Sequence, residues 1–327
     1  MIKKFILFVI VFSVLSAAAF TFWSNQPILS AEEKPIAFSI KSGSSVRGSA
    51  EQIANAGVPV SPLLLGVLAR ITGKSTKLKA GSYELKIGTT PLALVDQLVR
   101  GEYAQESLVI IEGWTFKQMR QVIAEHPALK HDTAALSDKE LLAKITTHYT
   151  KPEGLFFPDT YLFAKGSSDL QIFKQAHSLL LKRLDDAWAR RDPSLPYKTP
   201  YEALIMASII EKETGQKSER NMIAAVFVNR LKRGMLLQTD PTVIYGMGEI
   251  FQGNIRKRDL ETDTPYNTYT RAGLPPTPIA LPGAESLAAA LSPAKSEALY
   301  FVSRGNGSSE FSNNLNDHNR AVNKYQR

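Results

Sequence analysis

The sequence predicts an α+β protein in three parts: an N-terminal transmembrane helix, a small domain over residues 36–103 and a larger mixed α/β domain over residues 104–327. Three observations predict it. The N-terminus carries an apolar run of nineteen residues without a charge. Residues 36–101 show strand and helix signals in the order strand, helix, helix, strand. Long helical periodicities follow, and then a stretch rich in Pro, Thr, Tyr and Asn that ends in a hairpin pattern. At 327 residues, 44% hydrophobic and 21% charged, the chain is long enough for two domains with proper cores.

The apolar run is Phe5–Trp23, preceded by Lys3 and Lys4. As a helix it spans about 28 Å, close to the thickness of a bilayer core. Residues 1–23 are therefore expected to be a membrane anchor. The lysines stay on the cytoplasmic side and the rest of the chain lies outside, in the periplasm or its equivalent. A cleavable signal peptide is the rival reading, since Ser16-Ala17-Ala18-Ala19 offers small residues for cleavage. Either way the chain is exported, which argues against nucleic acid as a partner. Residues 24–35 read as a polar linker.

In the small domain, Ala37–Ile40 has strand character. Val46–Ala56 and Leu63–Thr72 are expected helices with Pro59 and Pro62 in the turn between them. Ala80–Gly88 ("AGSYELKIG") alternates like a strand entering a turn. Thr90–Val99 carries Leu92, Leu94, Val95, Leu98 and Val99 at helical spacing, and Gly101 ends it. In the larger domain, Leu108–Ile111 is a short strand and Thr115 caps an amphipathic helix. Residues 128–150 look helical, and Pro152–Phe163 is an aromatic, loop-like stretch carrying Glu153 and Asp159. Leu170–Arg191 is a long amphipathic helix. Tyr201–Thr214 and Ser218–Lys232 are two more, joined by a tight turn at Gly215. Leu299–Ser312 is a hairpin around Gly-Asn-Gly, and a short helix follows.

Composition narrows the chemistry. With no cysteine, disulfides, thiolate metal sites and a cysteine nucleophile are excluded. The five histidines (126, 131, 148, 177, 318) have no metal-ligand spacing, so no metal and no cofactor is expected. A net charge of +8 and a pI near 9.4 favour anionic partners.

"MASIIEKETG" (Met206–Gly215) ends a hydrophobic helix in two carboxylates. On a helical wheel Glu213 lies within about 60° of Met206, Ile209 and Ile210, and Glu211 about 160° away beside Leu204, Ala207 and Ser208. Glu213 thus extends the bulky apolar stripe. A carboxyl there is partly desolvated, so its pKa rises and it can hold a proton for delivery to a leaving oxygen. Glu211 is expected to be supporting. The bland alternative is a surface ion pair of Glu213 with Lys217, four residues on, worth about 0.3–0.5 kcal/mol. Acidic residues at a helix C-terminus oppose the dipole, however, and two of them ask for a reason.

"LQTDPTVIYGMG" (Leu237–Gly248) and "TPYNTYTRAGLPP" (Thr264–Pro276) set polar and aromatic residues among turn formers. Gln238, Asp240, Asn267 and Thr268 offer hydrogen bonds, while Tyr245, Tyr266 and Tyr269 offer flat faces with a polar tip. Such loops suit the hydroxyl rims and C–H faces of an oligosaccharide; the alternative is that they are structural turns. Ser292-Pro293-Ala294-Lys295 matches the S-x-x-K of serine acyl-enzymes but lacks the companion motifs. Pro293 after Ser292 reads instead as a helix start with Ser292 as N-cap.

Six strings taken together resemble the YceG-like family of membrane-anchored endolytic murein transglycosylases. They are "KAGSYEL", "PEGLFFPDTYLF", "MASIIEKET", "FVNRLKRGMLLQTDPTVIYGMGE", "DTPYNTYTRAGLPPTPIALPG" and "SPAKSEALYFVSRG", in family order over roughly 80–305. The resemblance implies a LysM-like domain at 36–103 ahead of a catalytic transglycosylase domain at 104–327. It implies an inner-membrane enzyme with its catalytic part outside, acting on peptidoglycan glycan strands and partnered by peptidoglycan synthases. One catalytic glutamate is implied, and "EKET" places it at Glu213, with Glu211 second in line. Substrate contacts are expected from Glu153, Gln238, Asp240, Tyr245, Tyr266, Asn267, Thr268 and Tyr269. The implied reaction cleaves the MurNAc–GlcNAc bond and leaves a 1,6-anhydro end. The alternatives are a wall-binding scaffold without activity and a water-using muramidase, for which Glu153, Asp159 and Asp240 are candidate second carboxylates.

Overall fold

The computed structural model describes residues 2–326, which fall into two units. The first comprises the chain up to Glu106 together with Leu162–Ser167, and the second comprises Ser107–Tyr161 and Ser168 onward.

The first unit opens with α1 (Ile2–Ser24), long and apolar enough to cross a membrane. Its body is built on β1 (Ile36–Ile40) paired antiparallel with β2 (Gly81–Leu85), in a register running from Ile36 opposite Leu85 to Ile40 opposite Gly81. Alternation turns Phe38, Ile40, Tyr83 and Leu85 inward. α2 (Val46–Asn55), α3 (Pro62–Ile71) and α4 (Pro91–Arg100) pack on that face. Ser45, Ser61 and Thr90 cap these helices through their side chains, and proline opens both α3 and α4. Gly101 stops α4 in the left-handed conformation, φ 74°. The strand, helix, helix, strand order expected from the sequence is present. Residues 24–35 are not free of the core: Ser24 and Leu29 are buried, and Ile28 donates its N–H to the Thr89 carbonyl at 2.9 Å.

β3 (Gln105–Val109) and β4 (Thr160–Ala164) form a two-stranded sheet. The second unit is mainly helical, with α5 (Phe116–Glu125), α6 (Asp138–Ala143), α7 (Asp169–Ala189), α8 (Pro200–Glu213), α9 (Arg220–Lys232), α10 (Asp240–Met247), α11 (Lys257–Glu261) and α12 (Ala284–Leu291). The hairpin β5 (Tyr300–Ser303)–β6 (Ser309–Ser312) and α13 (Leu315–Tyr325) complete it.

α8 is the axis of this unit. Every residue from Ala203 to Ile210 is buried, so the helix is covered on all sides, as expected of one apolar all round. α12 packs on it, and the Ser208 hydroxyl accepts the Ile279 N–H at 3.0 Å. The bulky and small faces of the helical wheel are therefore both interior, and position on the wheel does not by itself separate Glu211 from Glu213.

Three expectations fail. Leu237–Gly248, read as a loop, is helical over Asp240–Met247, with Pro241 in its first turn. Within 128–150 only Asp138–Ala143 is helical. A capping box between Ser137 and Glu140 starts that helix late, and the segment before it is held by other bonds, including Thr133 Oγ1 to the buried Asp169 carboxylate at 2.6 Å. Ser292 is the C-cap of α12, not an N-cap. Pro293 follows because it cannot continue the helix, and the Ser292 carbonyl is taken by the Asn221 amide at 2.8 Å.

Candidate active site

α8 delivers its last residue, Glu213, to the wall of a cleft of about 830 Å³ that is also lined by Arg230, Gln238, Asp240, Tyr269 and His318. Thr199 caps the helix start and Pro200 opens it, while Thr214 ends it in an extended conformation. Glu213 Oε2 accepts a 2.6 Å hydrogen bond from the Thr239 hydroxyl. Burial pushes the Glu213 pKa upward and the neighbouring Asp240 adds to the rise, while the Thr239 bond and the Arg230 charge oppose it. The net effect favours a protonated acid with one oxygen held by Thr239. The alternative reading, an ion pair with Lys217, does not hold; Lys217 reaches Glu285 at 3.2 Å instead.

Glu211 has a different environment. Its side chain is 6% exposed and pairs with Arg220 Nη2 at 3.5 Å, and its Oε2 accepts the Gly283 N–H at 2.9 Å. Arg220 also binds Glu285 at 2.7 Å. Both oxygens are thus committed to holding the α8 terminus against α9 and the start of α12.

Thr239 is fixed by a threonine network. Its N–H donates to Thr268 Oγ1 at 3.1 Å, the Thr242 hydroxyl donates to its carbonyl at 2.8 Å, and the Thr242 and Thr268 hydroxyls lie 2.9 Å apart. Thr268 is buried and its carbonyl accepts the Gln238 N–H. Asn267, fully buried, donates to the carbonyls of Leu260 and Thr262 at 2.9 and 2.7 Å and accepts the Tyr269 N–H at 2.9 Å. Asn267 and Thr268, expected to contact a ligand, are instead the frame of the loop, because their polar groups are satisfied by the protein. Gln238 is the one non-glycine with positive φ (52°) among the described residues, and its side-chain oxygen lies 3.4 Å from Arg230 Nη1. Backbone strain of this kind gathers at functional sites. Asp240 accepts the Tyr269 hydroxyl at 2.6 Å.

Glu153, Tyr245 and Tyr266 line a second, more apolar cleft of about 930 Å³ together with Phe116, Ile244 and Phe251. Tyr245 and Tyr266 meet edge to face at 5.0 Å. Glu153 is buried and accepts the Phe116 N–H at 3.0 Å and the Tyr245 hydroxyl at 3.2 Å. Burial pushes its carboxyl up to about 7 against those two bonds. The clefts flank the same two chain segments: Glu213 lines one and Lys212 the other, Asp240 one and Pro241 the other.

Arg230 and His318, which line the first cleft, and Thr239, buried behind Glu213, were not picked out from the sequence. Thr239 lies between two chosen residues, Gln238 and Asp240, and resembles an ordinary turn threonine. Arg230 looks like a helix-surface charge, yet it is buried, its guanidinium held by the carbonyls of Leu299, Leu236 and Leu237 at 2.7, 3.2 and 2.9 Å. Nothing local signals either.

Residues 38–324 match the model of the YceG-like family. The chain belongs to that family. An endolytic murein transglycosylase of Bacillus subtilis (strain 168) is 32% identical over 323 residues, a match covering 92% of this chain and 87% of that one. Another, of Streptococcus pneumoniae (strain D39), is 27% identical over 98% of this chain but only 65% of its own length. The crystal structure of a YceG-like protein from Listeria monocytogenes superposes with a TM-score of 0.56 at 33% identity, over 88% of this chain and 98% of that one.

Proposed function

We propose that this YceG-like chain is an endolytic murein transglycosylase, a lyase that cuts the MurNAc–GlcNAc bond within peptidoglycan strands with Glu213 as general acid and then base. The observation that carries the reading is Glu213 itself. It is a desolvated carboxyl on a cleft wall with one oxygen tied to Thr239 and the other left for substrate. The two family relatives named as murein transglycosylases supply the substrate class.

The reaction needs one group in two states. Protonated Glu213 gives its proton to the glycosidic oxygen as the C1–O bond breaks, and the bonding pair leaves with that oxygen. Positive charge develops at C1 as in other glycosidic cleavages. The carboxylate then takes the proton of the MurNAc C6 hydroxyl while that oxygen bonds to C1. Glu213 ends protonated, no water is consumed, and the product carries a 1,6-anhydro end. Asp240 and Tyr269 contact the sugar in the same cleft, and the Tyr245–Tyr266 pair carries the strand onward in the second. The first unit is the LysM-like domain, and α1 anchors the enzyme in the plasma membrane with the rest outside, within reach of nascent strands and their synthases.

Mass spectrometry of purified murein digested by wild type and Glu213→Gln tests this. Anhydro ends from wild type and intact strands from the variant are expected. Reducing ends, one water heavier, would mean a muramidase, and no cleavage by wild type would mean a binding scaffold.

A further inference from the structure

α1 has 23 residues, about 35 Å of helix against a bilayer core of about 30 Å. With Lys3 and Lys4 among the inner headgroups, the outer edge of the hydrocarbon falls near the last turn, at Phe20–Ser24. That turn is not free. Phe20 and Trp23 pack against the core of the first unit, their rings 5.5 Å apart, and Ser24 is buried. Four residues later Ile28 donates to the Thr89 carbonyl at 2.9 Å, and Leu29 is 1% exposed. No slack separates the membrane span from the folded unit, so whatever packs on Phe20 stands at headgroup height.

The adjoining turn is built for such a place. Thr89 closes it by donating to the Lys86 carbonyl at 3.1 Å, and Ile87 at its tip is 49% exposed. An apolar tip beside a lysine buries its side chain in the interface while the amine stays with the headgroups. Glu32, Glu33 and Lys34 flank the same end of the β1–β2 pair, because Ile36 stands opposite Leu85. Two acids face two lysines there, so attraction to anionic lipid is not the driving term.

We infer that this end of the first unit, the Lys86–Thr89 turn with the start of α4, is a lipid-contacting surface. The unit sits on the bilayer as a collar at fixed height, not as a bead on a flexible tether. This rests on the reading of α1 as an uncleaved span.

Because the chain has no cysteine, single nitroxide labels test it in the full-length protein. Labels at Ile87→Cys, Ser42→Cys (beyond the opposite end of the strand pair) and Leu15→Cys (in α1) are compared in phosphatidylglycerol and in phosphatidylcholine vesicles. The ratio of oxygen to water-soluble nickel accessibility is expected to be several-fold higher at 87 than at 42, highest at 15, and alike in both lipids. An aqueous signature at 87 with a deep one at 15 would overturn the collar and leave the anchor standing. Contact at 87 in phosphatidylglycerol alone would overturn the apolar basis claimed for it. An aqueous signature at 15 would overturn the anchor and the collar together.

Discussion

The two clefts of the second unit each enclose a carboxyl group whose pKa burial raises, and they differ in what the oxygens do. At Glu153 one oxygen accepts the first N–H of α5 and the other the Tyr245 hydroxyl. At Glu213 one oxygen accepts the Thr239 hydroxyl and the residue remains half-buried on a cleft wall. Desolvation alone therefore does not mark a catalytic acid. A raised pKa becomes useful where a lone pair or proton is left over for substrate. Glu153 has both oxygens engaged by the protein, whereas Glu213 has one engaged by Thr239, which is what the proposed proton store requires.

The sharpest break between the two comes from removing charge at each. Glu213→Gln should lower kcat on murein by about a thousand-fold, within the range for loss of a general acid, with the melting temperature little changed. A loss of ten-fold or less would move the chemistry elsewhere.

Glu153 is expected to act on stability instead. Its carboxyl is raised from 4.5 to about 7 in the folded state. The folded protein thus holds this proton more tightly than the unfolded chain does. The contribution is full below pH 4.5 and is lost as pH rises to about 7, a difference on the order of 3 kcal/mol. Denaturant titrations of wild type and Glu153→Gln should run together on the acid side, where glutamine mimics the neutral acid, and separate toward neutral pH, with wild type losing stability relative to the variant. Parallel curves would show that Glu153 is not the titrating group.

Next in size is Glu211→Gln, which weakens a buried pair whose arginine keeps Glu285. About 2 kcal/mol of stability should go, read as a lower denaturation midpoint, while kcat of the folded fraction stays near wild type. A large fall in kcat without destabilisation would reverse the roles of the two glutamates.

Thr239→Val has the smallest expected effect and the most specific one. The lost hydrogen bond favoured the ionised form of Glu213, so its pKa should rise further. The alkaline limb of the kcat/KM profile then moves to higher pH, and kcat falls about ten-fold as the carboxyl loses its orientation, equivalent to about 1.4 kcal/mol. An unmoved limb would mean that the bond to Thr239 does not set the proton affinity.

Much of this was legible in the chain. The cap at Thr115, the stop at Gly101 and the Gly-Asn-Gly hairpin lie where local rules put them, because a cap or tight turn is settled by neighbours three or four residues away. The errors fell where distant partners intervene. The segment 128–150 lost its expected helix to bonds such as Thr133 with Asp169, 36 residues on. Asn267 and Thr268 looked like ligand contacts because polarity is visible in a sequence and burial is not.

By itself, then, the sequence determined the apolar span, the order of strands and helices, and the pair of carboxylates at the end of a hydrophobic helix. Those follow from hydrophobic period, backbone preference and charge. Tertiary structure decided which carboxylate keeps an oxygen open, since Gly283 comes to Glu211 from 72 residues away and Thr239 to Glu213 from 26. It also split the tyrosines between two clefts and drew the chain after the apolar span into a core. Proton affinity depends on solvent exclusion and on partners that only folding brings near, so no local pattern of residues can specify it.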